Sequence, residues 1–307
     1  MCKESSVLTP ACYRGRFAPS PTGDLHLGSL MAAMASYLQA KQAGGEWLVR
    51  IEDLDPPRTV PGAAGRILQV LDAYGFERSG EVLYQSRRHE RYLAEIGRLK
   101  SLGRLYGCAC TRKEIAAIAR AGIDGPVYPG TCRGGLVAGR DARAWRLRVD
   151  DVAIGYNDGV QGWQQQDLAR QVGDFVLLRA DGLVAYQLAV VVDDAEQGVT
   201  DVVRGADLLD STPRQIYLQQ LLDFPSPDYA HIPVLVNEFG EKLSKQTLAQ
   251  PLALDGAVDA LVAALRLLQQ SPPECLLRAS VAEVWEWALV HWRIAALVGK
   301  KTIAIGA

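Results

Sequence analysis

Two polar segments lie far apart in the chain and share a chemistry. The first runs from Arg16 to Ser29, RFAPSPTGDLHLGS, where a Pro/Gly turn gives way to His26 and then to Gly28 ahead of an Ala-, Leu- and Met-rich stretch. Backbone N–H groups at a helix start favour an anion, and glycine lets a phosphate approach closely. His26 has a ring N–H to offer a phosphate oxygen. The second segment is Lys242-Leu243-Ser244-Lys245-Gln246, with two ammonium groups and a hydroxyl. Such a loop suits a polyphosphate whose charge must be held while it redistributes. Each segment has a bland alternative: a turn that merely joins strand to helix, and an ordinary lysine-bearing surface loop.

A third cluster is Cys108-Ala109-Cys110, followed by Tyr128-Pro129-Gly130-Thr131-Cys132. Three cysteines within 25 residues of an irregular, glycine-rich stretch suggest thiolate ligands of a structural Zn²⁺. Zinc takes four ligands and no histidine lies nearby, which makes Tyr128 the candidate fourth. Three reduced cysteines are the alternative. Cys2, Cys12 and Cys275 carry no pattern, and the first dozen residues have no apolar run of the signal-peptide kind. Cysteines without a secretion signal point to a reducing compartment, the cytoplasm.

Composition bounds these readings. Of 307 residues, 49% are apolar and 22% charged, as in ordinary globular domains. No run of 18 uncharged apolar residues offers a membrane span. A net charge of −2 does not advertise a nucleic-acid binder. Arg140, Arg143, Arg146 and Arg148 still concentrate charge locally, either as a solvated strand face or as phosphate contacts.

The elements that must position these groups alternate. Residues 13–18 read as a strand, 29–43 as a helix stopped by Gly44-Gly45, and 47–51 as a strand ending in the acidic EDLD. Helices are expected over 62–74 and 87–102. Strand–helix alternation implies a parallel sheet with ligands beyond the carboxyl ends of its strands, which places 19–28 and 52–55 at the site. The alternation lapses over 105–171. It resumes with strands at 175–179, 199–203 and 231–237, an apolar run over 186–193, and a helix over 211–222; residues 255–298 read as helical.

Together, the strand–turn–HLGS segment and KLSK resemble the two signature motifs of class I aminoacyl-tRNA synthetases. RFAPSPTG-x-LHLG and IEDLDPPR (51–58) are similar to the glutamyl branch, and the resemblance spans about residues 13–248. Ser29 stands where the motif has its second histidine, and Gln246 where it has a final basic or serine residue. The resemblance implies an α/β fold: a Rossmann-like catalytic domain with a parallel sheet in two halves (13–104 and 172–225), a zinc-bearing insertion (105–171), and a short helical C-terminal region with the loop (226–307). It implies that Arg16, Phe17, Ala18, Pro19, Ser20 and Glu52 line an L-glutamate pocket, Glu52 holding the ammonium group, with Tyr186 and Arg204 from AYQLAVVVDD and TDVVRGADLL. Two arginines fit two carboxylates, because guanidinium–carboxylate pairs are strong and planar. His26, Gly28, Lys242, Ser244 and Lys245 would bind ATP with its Mg²⁺, and His26 and Lys245 would be catalytic. No general base is needed, since a carboxylate is already ionised at neutral pH.

The C-x-C…Y-x3-C spacing resembles a truncated group of that branch, the glutamyl-queuosine tRNA(Asp) synthetases. It implies one structural zinc per chain on Cys108, Cys110, Tyr128 and Cys132. It also implies transfer of glutamate to queuosine of tRNA(Asp) by a monomer. The 61 residues after Gln246 are too few for an anticodon-reading module, for which roughly 100 residues are expected. Two alternatives stand beside this expectation: a truncated synthetase that charges a tRNA 3′ end, and a non-catalytic nucleotide- or RNA-binding paralogue.

Overall fold

A computed structural model describes residues 12–240 and 250–304 of the chain. Its first half is built by local rules. Strand β1 (Arg14–Phe17) leads through the Pro/Gly turn into α1 (Leu27–Gln42), whose N-cap is His26. Ala and Leu dominate α1, and Leu30, Met31, Met34 and Leu38 are fully buried. Gly44 ends it at φ 64°, the left-handed geometry glycine accepts at little cost. A Cβ on Gly45 would stand 2.1 Å from the Tyr13 carbonyl oxygen, so the chain can turn back beside β1 only with glycine there. Strand β2 (Glu46–Ile51) then pairs parallel with β1, Arg16 opposite Leu48. Helix α2 (Ala63–Ala73), strand β3 (Leu83–Tyr84, parallel to β2) and helix α3 (His89–Ser101) complete the half.

The middle of the chain is less regular. It comprises β4 (Leu105–Cys108), α4 (Arg112–Ile118), the short pair β5 (Ala121–Gly122) and β6 (Gly125–Pro126), β7 (Ala144–Leu147), β8 (Ala153–Asp158), β9 (Gly162–Asp167), α5 (Leu168–Gln171) and β10 (Val176–Leu178). Strands β10, β7 and β4 form an antiparallel sheet. The hairpin β8–β9 lies inside the range read as the insertion, yet β8 pairs parallel with β12 (Asp228–Ile232) of the second half. Conversely β10, in the range read as catalytic, pairs with β7. Alternating and short apolar strands carry no signal of which distant strand they join.

The second half continues with α6 (Tyr186–Glu196), β11 (Asp201–Gly205), α7 (Thr212–Leu221), β12, β13 (Val234–Val236), α8 (Ala257–Leu267), α9 (Val281–His291) and β14 (Thr302–Ala304). Strand β11 pairs parallel with β12. It also lies beside β1, where the Thr200 N–H donates to the Arg14 carbonyl at 3.0 Å. The two halves therefore meet at β1 and β11. The strand expected over 231–237 is broken at Pro233, which has no N–H to donate, and β13 pairs with β14 instead.

Two large cores hold the fold. One surrounds α1 and includes an aromatic group of Phe17, Tyr37, Trp47, Phe76 and Trp285, with Tyr37 and Trp285 centroids 4.8 Å apart. It fixes the C-terminal helices against the sheet. The other, around Tyr92, Leu147, Leu177, Leu188 and Leu218, joins α3, β7, α6 and α7. A third, small cluster has only Tyr106, Cys108, Tyr128 and Cys132 as its buried members. A core of that size stabilises little by burial.

Candidate functional site

The carboxyl ends of β1, β2 and β11 open onto a cavity of about 460 Å³. Arg16, Phe17, Ala18 and Ser20 reach it from β1 and the following turn, Glu52 from the end of β2, Tyr186 from the first turn of α6, and Arg204 from β11. Arg58, Asp207 and Leu208 also line it, with Ala32, Val203 and Gly205. Pro19 is not part of the lining; its carbonyl accepts the Glu52 N–H at 3.0 Å and so ties the turn to the end of β2.

Beneath the cavity is a buried charge network that the sequence analysis did not identify. The guanidinium of Arg16 meets Asp194 through two contacts of 3.2 and 3.3 Å. Asp194 also accepts from Arg50 at 2.7 Å, and Arg50 lies 3.5 Å from Glu52 and 3.8 Å from Asp193. Asp193 accepts in turn from Gln85, Arg88 and Tyr92. Arg16, Arg50 and Arg88 thus face Glu52, Asp193 and Asp194, with Glu196 sharing Arg88, as buried charges need partners. Burial works against ionised Asp194, but Arg16 and Arg50 outweigh it and hold its carboxyl below the ordinary range. Glu52 differs: burial pushes it up to about 7 against the opposing pull of Arg50 and Arg16. Its Oε1 is buried without a hydrogen-bond partner among the described residues.

Arg204 stands outside this balance. Its Nε donates to His231 Nε2 at 3.0 Å, and its Nη2 to Thr212 Oγ1 and Gln215 Oε1 at 2.8 Å each. Its Nη1 is buried without a hydrogen-bond partner among the described residues. One wall thus bears a guanidinium paired to a shared carboxylate, another a guanidinium held by uncharged acceptors, and between them Glu52 faces no direct cation but Arg50. A zwitterion with an additional carboxylate is the complement of that arrangement.

The phosphate-binding expectation centres on the start of α1. His26 Nδ1 accepts the Ser29 N–H at 3.3 Å, and its Nε2 lies 3.2 Å from the Ser29 hydroxyl. A Cβ on Gly28 would stand 3.2 Å from His26 Cε1, so glycine keeps the ring unobstructed. A second cavity, of about 400 Å³, is lined by His26, Gly28, Tyr74, Leu235 and Pro251. His26 and Pro251 form an antiparallel bridge, and the Leu252 N–H donates to the Leu25 carbonyl at 2.9 Å. Residues just after the KLSK segment therefore touch the first motif. Lys242, Ser244, Lys245 and Gln246 themselves lie outside the described residues.

The cysteines gather as the spacing suggests. The Sγ atoms of Cys108, Cys110 and Cys132 lie within 4.8 Å of one another, and those of Cys110 and Cys132 are 3.6 Å apart. Tyr128 Oη is 3.4 Å from Cys108 Sγ and 3.6 Å from Cys110 Sγ. Tetrahedral zinc, with bonds of about 2.3 Å to sulfur and about 2.0 Å to oxygen, sets S···S near 3.8 Å and S···O near 3.5 Å. The donors fit zinc. Burial raises the Tyr128 phenol above its ordinary range, and a bound cation would work in the opposite direction. The Arg146 guanidinium lies 3.8 Å over the Tyr128 ring. Arg148 donates to the Arg133 carbonyl and Arg140 to Glu114 within the insertion, and Arg146 donates to the Asp174 carbonyl just beyond it.

Asp193, Asp194 and Arg50 left a faint trace in the sequence: two acids close an apolar helical run, and an arginine interrupts the apolar end of β2. His231 and Asp158 left none.

The chain has relatives among known proteins. The family described as tRNA synthetases class I (E and Q), catalytic domain, matches residues 13–268. Over 297 residues the chain is 62% identical to the glutamyl-Q tRNA(Asp) synthetase of Dechloromonas aromatica, covering 96% of this chain and 99% of that protein. The corresponding protein of Chromobacterium violaceum is 60% identical, covering 94% and 96%. A solved glutamate tRNA ligase from Elizabethkingia meningosepticum superposes with a TM-score of 0.78 at 24% identity, over 96% of this chain and 67% of that one. That likeness shows the shared fold.

Proposed function

The chain belongs to the class I tRNA synthetases of the glutamate and glutamine branch, in the group of the glutamyl-Q tRNA(Asp) synthetases, and from that membership we propose that it activates L-glutamate with ATP and transfers it to queuosine in the anticodon loop of tRNA(Asp). The observation that carries the reading is Arg204: a buried guanidinium whose partners are uncharged, in one cavity with Arg16 and Glu52. Glu52 takes the substrate ammonium, and Arg16 and Arg204 take the two carboxylates. Phe17, Ala18, Pro19, Ser20 and Tyr186 shape the rest of the pocket.

In the first step an α-carboxylate oxygen attacks the α-phosphorus of ATP, a P–O bond to the carboxyl forms, and pyrophosphate leaves. The attacking group is already ionised, so catalysis consists of alignment and of holding charge on the phosphates. His26 and Gly28 act at the start of α1, and Lys242, Ser244 and Lys245 act from the second motif. Mg²⁺ bound with ATP neutralises part of the polyphosphate charge. In the second step a hydroxyl of queuosine attacks the activated carbonyl carbon and AMP leaves.

One structural zinc per chain is held by Cys108, Cys110, Tyr128 and Cys132, and it shapes the insertion rather than the reaction. The enzyme works as a cytoplasmic monomer. Among the described residues the cysteines are free, and no described helix is long and apolar enough to cross a membrane. The test of activation is glutamate-dependent exchange of pyrophosphate into ATP with protein, glutamate, ATP and Mg²⁺ alone. Exchange without RNA is expected. A strict requirement for tRNA, or equal exchange with glutamine, contradicts the reading.

A further inference from the structure

One buried histidine has no part in the chemistry above. His231 sits in the middle of the sheet on β12, fully shielded from solvent. Packing alone would favour a β-branched aliphatic residue there. Instead the ring lies between two charged groups of opposite sign. On one side Nδ1 is 2.5 Å from Asp158 Oδ2; on the other, Nε2 is 3.0 Å from Arg204 Nε. The parallel pairing of β12 with β8 on one edge and β11 on the other brings the three together.

Hydrogen-bond bookkeeping fixes the state of the ring. Asp158 is held by the N–H groups of Val160, Gln161 and His231, all donating to its Oδ1. Its Oδ2 therefore faces Nδ1 as a carboxylate and demands the proton there. Nε2 is left as an acceptor for the Arg204 N–H. A doubly protonated ring would set two donors against each other at Arg204. Burial, helped by the Arg204 charge, outweighs Asp158 and pushes the imidazolium down to about 4, so the ring is neutral at physiological pH.

The other acceptors on Arg204, Thr212 Oγ1 and Gln215 Oε1, are equally uncharged, and the Thr212 hydroxyl also lies 3.1 Å from His231 Nε2. Gln215 offers Oε1 because its Nε2 donates to Gln187 Oε1, and Gln187 in turn donates to Ser211 Oγ. Arg16, by contrast, is gripped by the carboxylate of Asp194. A carboxylate in direct contact would orient Arg204 equally well but would cancel much of its charge. An imidazole interposed between carboxylate and guanidinium gives direction without that cancellation.

Resting on the glutamate-binding reading above, we infer that His231, with Asp158 behind it, is a positioning residue that aims Arg204 at a substrate carboxylate while leaving the guanidinium charge uncompensated. The pair touches neither substrate nor ATP, so its signature belongs in glutamate KM.

Amide replacements separate this role from simple filling of space. In His231→Gln the side-chain oxygen can take the place of Nε2 and accept from Arg204. In His231→Asn the amide reaches Asp158 but not Arg204. Pyrophosphate exchange is measured with both variants at saturating ATP, varying glutamate, and then with ATP varied. His231→Asn is expected to raise glutamate KM on the order of 10- to 100-fold, the effect of losing a hydrogen bond to a charged group. Its kcat and ATP KM stay within about threefold, and His231→Gln recovers glutamate KM to within about threefold of wild type, thresholds set well below that effect. Thermal melts check that each variant folds. Asp158→Asn supplies an independent arm: its amide N–H₂ opposite Nδ1 forces the proton onto Nε2, against the Arg204 donor, and should raise glutamate KM likewise. Unchanged glutamate KM in His231→Asn or Asp158→Asn overturns the inference, as does a His231→Gln enzyme no better than His231→Asn. A wild-type protein without glutamate-dependent exchange overturns the functional reading as well; wild-type exchange with insensitive variants overturns the positioning role alone.

Discussion

On the proposed assignment of Glu52 to the substrate ammonium, its titration sets the pH range in which the amino acid binds. Its carboxyl is buried at the end of β2, and that burial pushes its pKa up to about 7 despite Arg50 and Arg16. Only the ionised form can hold an ammonium group. A group titrating near 7 is about 90% ionised at pH 8 and about 10% at pH 6. Glutamate KM should therefore rise about tenfold from pH 8 to pH 6 by the same titration. The maximal rate should move much less, because a bound ammonium keeps Glu52 ionised. Glu52→Gln removes both the attraction and the titration: kcat/KM for glutamate falls about 10²-fold, as when a charge-assisted hydrogen bond is lost, and its pH slope flattens. The fold responds in the opposite direction. A folded-state pKa above the unfolded value of about 4.5 means that stability is present at low pH and is lost as pH rises through about 7, so Glu52→Gln should melt higher than wild type at pH 8. The assay is pyrophosphate exchange from pH 6 to 8 at constant ionic strength, with thermal melts at the same pH values. A flat wild-type KM, or a pH slope that survives in Glu52→Gln, refutes the reasoning.

Other perturbations have equally definite outcomes. Asp194→Ala strands Arg16 and Arg50 beside each other in the interior and should cost about 3 to 5 kcal/mol, read as a large drop in melting temperature together with loss of glutamate activation. Lys245→Ala should slow exchange on the order of 10²-fold, as loss of one charge-stabilising group does; an unchanged rate makes KLSKQ a bystander loop. Elemental analysis of protein purified without chelator should find one zinc per chain. Cys110→Ser should abolish that stoichiometry and impair transfer to RNA more than activation.

What the sequence revealed follows from range. The turn before His26, the acid at the end of β2 and the C-x-C spacing are local patterns, and local physics places them. The network beneath the cavity is not local: Arg16 meets Asp194, and Arg50 meets both Asp193 and Asp194, across more than 140 positions. In the sequence these side chains look like surface charges on a strand and a helix. The β8–β9 hairpin shows the same limit, because its alternation identifies strands but not their partner β12. His231 was invisible for a further reason: a single histidine in an apolar strand becomes informative only when Asp158 and Arg204 are seen on its two sides.

The destination of the glutamate tests the central claim most directly. The protein, ATP, Mg²⁺ and labelled glutamate are incubated in parallel with queuosine-containing tRNA(Asp), tRNA(Asp) lacking queuosine, and tRNA(Glu), and any labelled RNA is cut by nuclease into fragments. The account predicts label only in the anticodon fragment of the queuosine-containing tRNA(Asp). Label on the 3′-terminal adenosine of tRNA(Glu), with none in an anticodon fragment, would contradict it and make this chain a truncated enzyme of the 3′-charging kind.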